Sequence, residues 1–175
     1  VRCFGESRYN VARKGLAYMK GMQDEGILAC AKHFPGHGDT DADSHYTLPV
    51  LQHSFEEIDS VHLFPFKALI SEGLHSVMTA HLHIPSLEPT RNLAATLSEP
   101  IVTGLLQNTL GFNGLVITDA LDMRGVSDFF KSGELELAAL KAGNDILLLP
   151  EDVPAAINAI RKAAESGQIP ISMID

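Results

Sequence analysis

Short apolar segments alternate with stretches of helical periodicity along this 175-residue chain, and this alternation constrains its fold more than any other feature. The apolar segments cover residues 27–34, 75–84, 114–118 and 145–150. Such short, mostly apolar runs are typical of parallel strands that are covered on both faces. Helices that alternate with strands of this kind form βαβ units. The sequence therefore predicts an α/β fold with about four βα units.

Helical periodicity fills the intervals between these segments. The predicted helices cover about residues 8–25, 54–72, 98–110, 134–143 and 151–166. Ser54 and Glu57 have the spacing of a capping box, and a break or kink is expected at Pro65. The last helix is expected to face the core with its apolar side chains, namely Val153, Ile157, Ile160 and Ala164.

Polar residues lie at the end of each predicted strand. They are, in chain order, Lys32, His33, His81, His83, Asp119, Asp122 and Glu151. Ligands of parallel α/β folds bind at the carboxyl ends of the strands, so these side chains are expected to converge on one rim. Four units make half of an eight-unit barrel, and the final "ISMID" resembles the opening of a helix. The chain is therefore expected to be an incomplete barrel and a fragment of a longer protein.

Composition narrows the range of partners. The net charge is −9 and the 13 Lys and Arg residues are scattered, which disfavours nucleic acid and anionic membranes. No apolar run approaches the ~20 residues that span a bilayer, so the chain is expected to be soluble. Cys3 and Cys30 make no disulfide framework, and Cys30 is expected to be buried as a small apolar residue. The first residues lack both Met and a signal-peptide pattern, which leaves the cellular compartment open.

The segment "KHFPGHGDTDADSH", residues 32–45, holds three histidines and three aspartates in fourteen positions. Asp39, Asp41 and Asp43 match the start of a calcium-binding loop, but Ser44 and Val50 stand where that loop needs Gly and Glu. A solvated turn rich in Gly and Asp is the simplest alternative. The location of the segment, after a buried strand on the ligand-binding rim, favours a functional loop.

A metal site is a second interpretation of the polar rim. His81 and His83 form an H-x-H pair at a strand end, where alternate side chains face the same side and can reach one zinc ion together with Asp119. Ordinary packing of one or both histidines explains the pair equally well. No third histidine recurs at a later strand end, which disfavours the metal interpretation.

Together with the later "GLVITDALDM", the loop resembles the glycoside hydrolase family 3 β-N-acetylglucosaminidases, which include the bacterial enzymes of peptidoglycan recycling. Those enzymes carry a K-H-F-P-G-H-G loop, a D-S-H pair shortly after it, and a nucleophilic aspartate in an S/T-D segment at a later strand end. The "RCFG" at residues 2–5 resembles the R-S-F-G of the family, and the resemblance covers essentially the whole chain. It implies that residues 1–175 form the second half of a (β/α)8 catalytic barrel, the N-terminal domain of that family.

The resemblance also implies roles for individual residues. Asp119 would be the nucleophile that forms a glycosyl-enzyme, and His45, partnered by Asp43, would be the general acid/base. The hydroxyls of the donor sugar would be bound by Arg2, Lys32 and His33. No metal or other cofactor is implied, and the resemblance assigns no role to His37, Asp39 and Asp41.

The chemistry of these groups suits a retaining displacement. An unperturbed histidine titrates near ~6.5, so it can donate a proton to the leaving oxygen and later accept one from water. Asp122 competes with Asp119 for the nucleophile's role, and Asp119 also suits a helix cap. Asp119 is preferred because it is the first residue after the apolar strand.

The expected function is therefore that of a retaining glycoside hydrolase that releases terminal non-reducing β-linked N-acetylglucosamine. β-Glucosidase and phosphorylase activities are close neighbours within the family. Two alternatives from other classes stay open: a metal-dependent hydrolase that uses His81, His83 and Asp119, and a non-catalytic carbohydrate-binding half-barrel. The expected partners are the saccharide and either the missing half of the barrel or a second copy of the chain.

Overall fold

The chain is an α/β protein built around a small parallel sheet. A computed structural model describes residues 4–40, 44 and 46–174. Three strands lie in the order β1-β2-β3, which are Cys30–Phe34, Ser76–Thr79 and Leu115–Thr118. Both pairings are parallel, as expected for strands linked by helical crossovers. The predicted α/β class is confirmed.

Helical segments connect the strands. The α-helices are α1 Arg8–Gln23, α2 Phe55–Glu57, α3 Leu63–Ser71, α4 Arg124–Ser127, α5 Glu134–Ala142 and α6 Val153–Glu165. Where the structure describes the chain, two segments are π-helical, Ile58–His62 and Pro100–Thr109, and two are 3₁₀-helical, Ala95–Leu97 and Ile171–Met173. No helix in these described ranges is long and apolar enough to cross a membrane.

The prediction of a fourth full strand at 145–150 is wrong for the described residues. Ile146 makes a single parallel bridge to Ile117, and its carbonyl accepts the amide of Thr118 at 2.9 Å. Two residues further on, the amide of Leu148 donates to the side-chain oxygen of Thr118 at 2.9 Å. Leu149 then takes a left-handed φ of 48°, which ends the extended backbone. The segment therefore lies beside β3 without forming a ladder.

The predicted helix start at Ser54 is confirmed. The break or kink predicted at Pro65 is not found there, and the helix is interrupted earlier. The Ser54 hydroxyl accepts the amide N–H of Glu57 at 3.3 Å, as a capping residue does. The α-helix is interrupted at Ile58–His62, whereas Pro65 lies within α3. A π-helical turn adds a residue to the helical repeat and so changes the direction of the side chains that follow.

The main core surrounds β2, the central strand. Its fully buried members include Phe34, Leu63, Val77, Ile101 and Val116. A second apolar cluster lies under α5 and contains Leu121, Val126, Leu135 and Ala139.

Asn144 ties β2 to the 3₁₀-helical turn Ala95–Leu97 and to α5 through a buried amide. Its Oδ1 accepts the Thr79 hydroxyl at 2.9 Å, and its Nδ2 donates to the carbonyls of Thr96 and Ala139 at 2.9 and 2.7 Å. Only 1% of the residue is exposed, so these bonds replace the water that it loses.

The inward face predicted for the last helix is wrong. In α6, Val153 and Ile157 are 51% and 60% exposed, whereas Ala156 and Ala163 are buried. A Cβ on Gly133, at the start of α5, would lie 2.8 Å from the carbonyl oxygen of Ala155. Such a close approach between α5 and α6 requires small residues at the contact, which turns the larger side chains outward.

The expectation that Cys30 is buried is also wrong. Cys30 is exposed because it lies at the start of β1, an outer strand that pairs with β2 alone among the described residues. Cys3 lies outside the described residues.

Candidate active site

Asp119 lies directly after β3, and hydrogen bonds to the backbone hold both its amide and one of its carboxylate oxygens. Its amide donates to the carbonyl of Thr79 at 3.1 Å, and its Oδ1 accepts the amide of Ala120 at 2.9 Å. The second oxygen, Oδ2, lies 3.5 Å from Nε2 of His33. The side chain is 17% exposed, so a ligand on the rim can reach it. One carboxylate oxygen is thus anchored and the other faces the rim.

His33 reaches Asp119 from the end of β1. The pairing of β1 with β2 shifts register there, since Lys32 lies opposite Met78 but Phe34 lies opposite Thr79. An irregularity of this kind redirects a side chain and is frequent beside active sites. The peptide bonds Lys32–His33 and Phe34–Pro35 are cis. Lys32 is exposed, while the His33 side chain is 20% exposed.

Asp122, the competing carboxylate, differs from Asp119 in its surroundings. It is exposed, whereas Asp119 is half-buried beside an imidazole. Its backbone carbonyl accepts the Ser127 hydroxyl at 3.4 Å. The two aspartates that compete for the nucleophile's role therefore differ in exposure and in their contact with an imidazole.

His81 is fully buried beneath the Asp119 loop. Its Nε2 lies 2.9 Å from the carbonyl of Ala120, so this nitrogen carries a proton, because a carbonyl only accepts. Its Nδ1 lies 3.0 Å from the Thr96 hydroxyl. Burial lowers the pKa of His81, while the Ala120 hydrogen bond and the nearby Asp119 carboxylate oppose that effect. His81 thus holds the residue that follows Asp119.

The alternative metal site at His81, His83 and Asp119 is not formed. Both ring nitrogens of His81 are engaged as described, and Nδ1 of His83 lies 3.2 Å from the carbonyl of Leu93. In the part of the chain that the structure describes, these three residues do not form a group with ligand atoms close enough for one ion. The two histidines lie beyond the end of β2 at Thr79, and their rings are hydrogen-bonded to different segments, that of His81 to Ala120 and that of His83 to Leu93.

The loop after β1 packs against the loop after β3. Within the loop after β1, the ring of His37 links two hydroxyl groups. Its nitrogens lie 3.0 Å from the Thr40 hydroxyl and 3.2 Å from the Ser44 hydroxyl. A Cβ added to Gly125 would lie 2.8 Å from the carbonyl oxygen of Ser44 and 2.5 Å from that of Thr47. Gly125 is therefore needed where the backbone around Ser44 meets the segment that follows Asp119.

Three of the predicted site residues lie outside the described residues, namely Arg2, Asp43 and His45, and so does Asp41, to which no role is assigned. Ser44, the middle residue of the D-S-H triplet, is described and buried. Sequence reasoning missed the contact of Gly125 with Ser44, since 81 residues separate the two (125 minus 44) and no local pattern links them.

The fold and this rim define an α/β protein in which the imidazole of His33 and the carboxylate of Asp119 meet at the carboxyl ends of the two outer strands. Residues 1–175 match the model of the glycosyl hydrolase family 3 N terminal domain. The chain therefore belongs to glycosyl hydrolase family 3, and the resemblance seen in its motifs is confirmed.

Known relatives agree with this assignment. Beta-hexosaminidase A of Pseudoalteromonas piscicida is 40% identical over 160 residues, which cover 86% of this chain and 27% of that protein. A family 3 β-N-acetylglucosaminidase from Paenibacillus sp. str. FPU-7 is 44% identical, with a TM-score of 0.95 over 99% of this chain and 34% of that one. Zinc-bound CbsA from Thermotoga neapolitana is 36% identical, with a TM-score of 0.92 over 99% of this chain and 39% of that one. The chain thus spans well under half the length of these relatives, whose names mark the first two as glycosidases.

Proposed function

We propose that this chain supplies the catalytic residues of a retaining β-N-acetylglucosaminidase, with Asp119 as the nucleophile and His45, assisted by Asp43, as the acid/base. The observation that carries the proposal is the close packing of Ser44 on Gly125. It brings the backbone between Asp43 and His45 against the segment that follows Asp119. The substrate class is taken from the relatives, which are named as hexosaminidases and N-acetylglucosaminidases.

The first step is a displacement at the anomeric carbon. An Asp119 oxygen forms a bond to that carbon while the bond to the leaving oxygen breaks, and the imidazolium of His45 gives its proton to the leaving oxygen. Oδ2 of Asp119 suits this attack because Oδ1 is held by the Ala120 amide. The product is a glycosyl-enzyme and a neutral imidazole.

The second step reverses the roles of the same groups. The neutral His45 takes a proton from water, the resulting oxygen attacks the anomeric carbon, and the bond to Asp119 breaks. The sugar leaves with its original β configuration. Asp43 accepts a ring N–H of His45 in both steps and keeps the tautomer correct.

Polar donors of the rim bind the sugar ring. Lys32 and His33 stand at the end of β1, and His33 lies beside Asp119. With Arg2, they form hydrogen bonds to sugar hydroxyls. These bonds hold the anomeric carbon in line with the nucleophile, and such positioning can lower a barrier by ~7–11 kcal/mol.

Hydrolysis of a nitrophenyl β-N-acetylglucosaminide by the full-length gene product tests the proposal. A fluorinated sugar inactivator should label Asp119, as detected by peptide mass spectrometry. Added inorganic phosphate separates the two neighbouring activities, because a phosphorylase would yield a sugar phosphate instead of the free sugar. Saccharide binding without turnover would favour the non-catalytic alternative.

A further inference from the structure

Three side chains with metal-binding atoms meet beside the loop, away from Asp119. They are Asp39, His53 and His62, and one ligand atom of each lies within 4.8 Å of the others. Nε2 of His53 is 2.9 Å from Oδ2 of Asp39, and the two imidazole rings are 5.2 Å apart between centroids. Ligand atoms at ~2.0–2.1 Å from a tetrahedral zinc ion stand roughly 3.3 Å from one another. The observed spacing therefore needs only small side-chain adjustments.

Glu57 completes the arrangement around His53. Its Oε2 lies 2.9 Å from Nδ1, so both nitrogens of His53 face a carboxylate oxygen. Only a doubly protonated ring can donate to both carboxylates at once. A metal ion at Nε2 satisfies Asp39 while Nδ1–H still donates to Glu57, and this carboxylate–histidine–metal chain is how proteins orient metal-binding imidazoles.

His62 is held in place by the backbone of the loop. It is the last residue of the π-helical turn Ile58–His62, and a Cβ on Gly36 would lie 2.8 Å from its Cβ. Gly36 has a φ of 143°, which also favours glycine. The π-helical turn and the glycine together bring the His62 ring close to Asp39 and His53.

We propose that Asp39, His53 and His62 bind one divalent transition-metal ion, with Zn²⁺ the best fit. Two imidazoles and one carboxylate match the preference of zinc, and water would take the fourth position on the exposed side of Asp39. The His53 and Asp39 side chains are 22% and 71% exposed, so an ion can enter from solvent.

The site would tie the loop to the start of the helical segment that contains α2 and α3. Asp39 comes four residues before Asp43. A bound ion would therefore fix the position of Asp39, close in the sequence to the proposed acid/base pair. This consequence rests on the proposed function, whereas metal binding itself does not. The proposed attack of Asp119 on the sugar needs no metal. The ion would therefore act only on the position of the loop.

Calorimetric titration of the metal-free chain with Zn²⁺ tests the site. We expect one equivalent to bind, and we expect His53→Ala and His62→Ala each to weaken binding at least tenfold. Glu57→Gln should weaken it about 10- to 100-fold, the usual effect of losing a carboxylate behind a ligating histidine. His75→Ala removes an exposed histidine elsewhere and should leave the affinity unchanged. Amide hydrogen exchange at residues 37–47 should slow when zinc is bound.

Absence of binding, or binding that His53→Ala and His62→Ala leave intact, would overturn the proposal and leave an ordinary ion pair of His53 with its carboxylates. If a histidine variant does not fold, Asp39→Asn gives the same test at an exposed position. Because binding is measured without substrate, failure of the proposed hydrolysis leaves the metal result unaffected.

Discussion

Nε2 of His33 lies 3.5 Å from Oδ2 of Asp119, across the carboxyl end of β2. The two residues belong to the outer strands of the sheet, so the pair depends on the order β1-β2-β3. The pair distinguishes Asp119 from Asp122, which is exposed.

Asp119→Asn should lower kcat/KM for a nitrophenyl β-N-acetylglucosaminide by several orders of magnitude, because the amide keeps the shape of the side chain but is a poor nucleophile. Asp122→Asn is the matched control and should retain most of the activity, since Asp122 is exposed. Steady-state kinetics of the full-length gene product provide the measurement. Equal losses in both variants would refute the assignment.

His45→Ala should slow the second step about 10²–10⁴-fold, the usual contribution of a general acid/base. Azide should restore turnover by attacking the glycosyl-enzyme without needing a base, and the glycosyl azide should be detectable by mass spectrometry. Asp43→Asn should be less harmful. Kinetics unchanged by His45→Ala would show that another group moves the proton.

Gly125→Ala should lower activity and destabilise the fold by about 1–3 kcal/mol, the usual cost of overpacking. The new methyl would meet the carbonyls of Ser44 and Thr47 at 2.8 and 2.5 Å. Gly21→Ala is the control, since Gly21 lies within α1 with nothing within 4 Å of the added Cβ. The free energy of unfolding of Gly21→Ala, measured by urea unfolding, should rise slightly because alanine favours the helix more than glycine does. Wild-type kinetics in Gly125→Ala would contradict the role of this contact.

The free energy of unfolding should fall as pH falls through about 6.5, the ordinary pKa of histidine. Burial lowers the pKa of His81 in the folded protein, so the unfolded chain binds the proton more readily. The contribution of His81 to the free energy of unfolding is fully present above about pH 6.5. It is lost as the pH falls from there through the lower pKa that His81 has in the folded protein. Urea unfolding at several pH values should show a smaller pH dependence in His81→Gln than in the wild type. His75→Gln, at an exposed position, should keep the wild-type dependence.

Residues 1–175 purified alone should self-associate and show little or no hydrolysis. Several large apolar side chains near β3 and α6 face solvent, with Leu149 at 58% and Ile157 at 60% exposure. Exposed apolar side chains favour association when they form one patch. Light scattering and the nitrophenyl assay measure both properties, and Ile157→Ser should reduce the particle size. An active, stable monomer would contradict this expectation.

Local pattern was enough to predict the position of Asp119, because a carboxylate after an apolar strand falls at the ligand-binding end of a sheet. Local pattern failed at 145–150, where the side chain of Thr118 replaces a backbone partner and Leu149 adopts a positive φ. It failed again at Ile157, because the close contact of α5 with α6 selects small residues.

The sequence pattern also could not predict that Asp39, His53 and His62 lie close together. These residues lie at different points of a loop and a π-helical turn, and periodicity does not place such elements relative to each other. The same holds for the contact of Gly125 with Ser44.

The hydrogen bonds of Asn144 also bear on how this protein ages chemically. Deamidation requires the backbone nitrogen of the next residue to attack the side-chain amide carbon. Here that nitrogen, in Asp145, donates to the carbonyl of Val116 at 2.8 Å, while the amide group of Asn144 is held by Thr79, Thr96 and Ala139. Asn113, which is exposed and followed by Gly114, has no comparable burial. Isoaspartate should therefore accumulate at Asn113 long before the amide at the centre of the fold is lost.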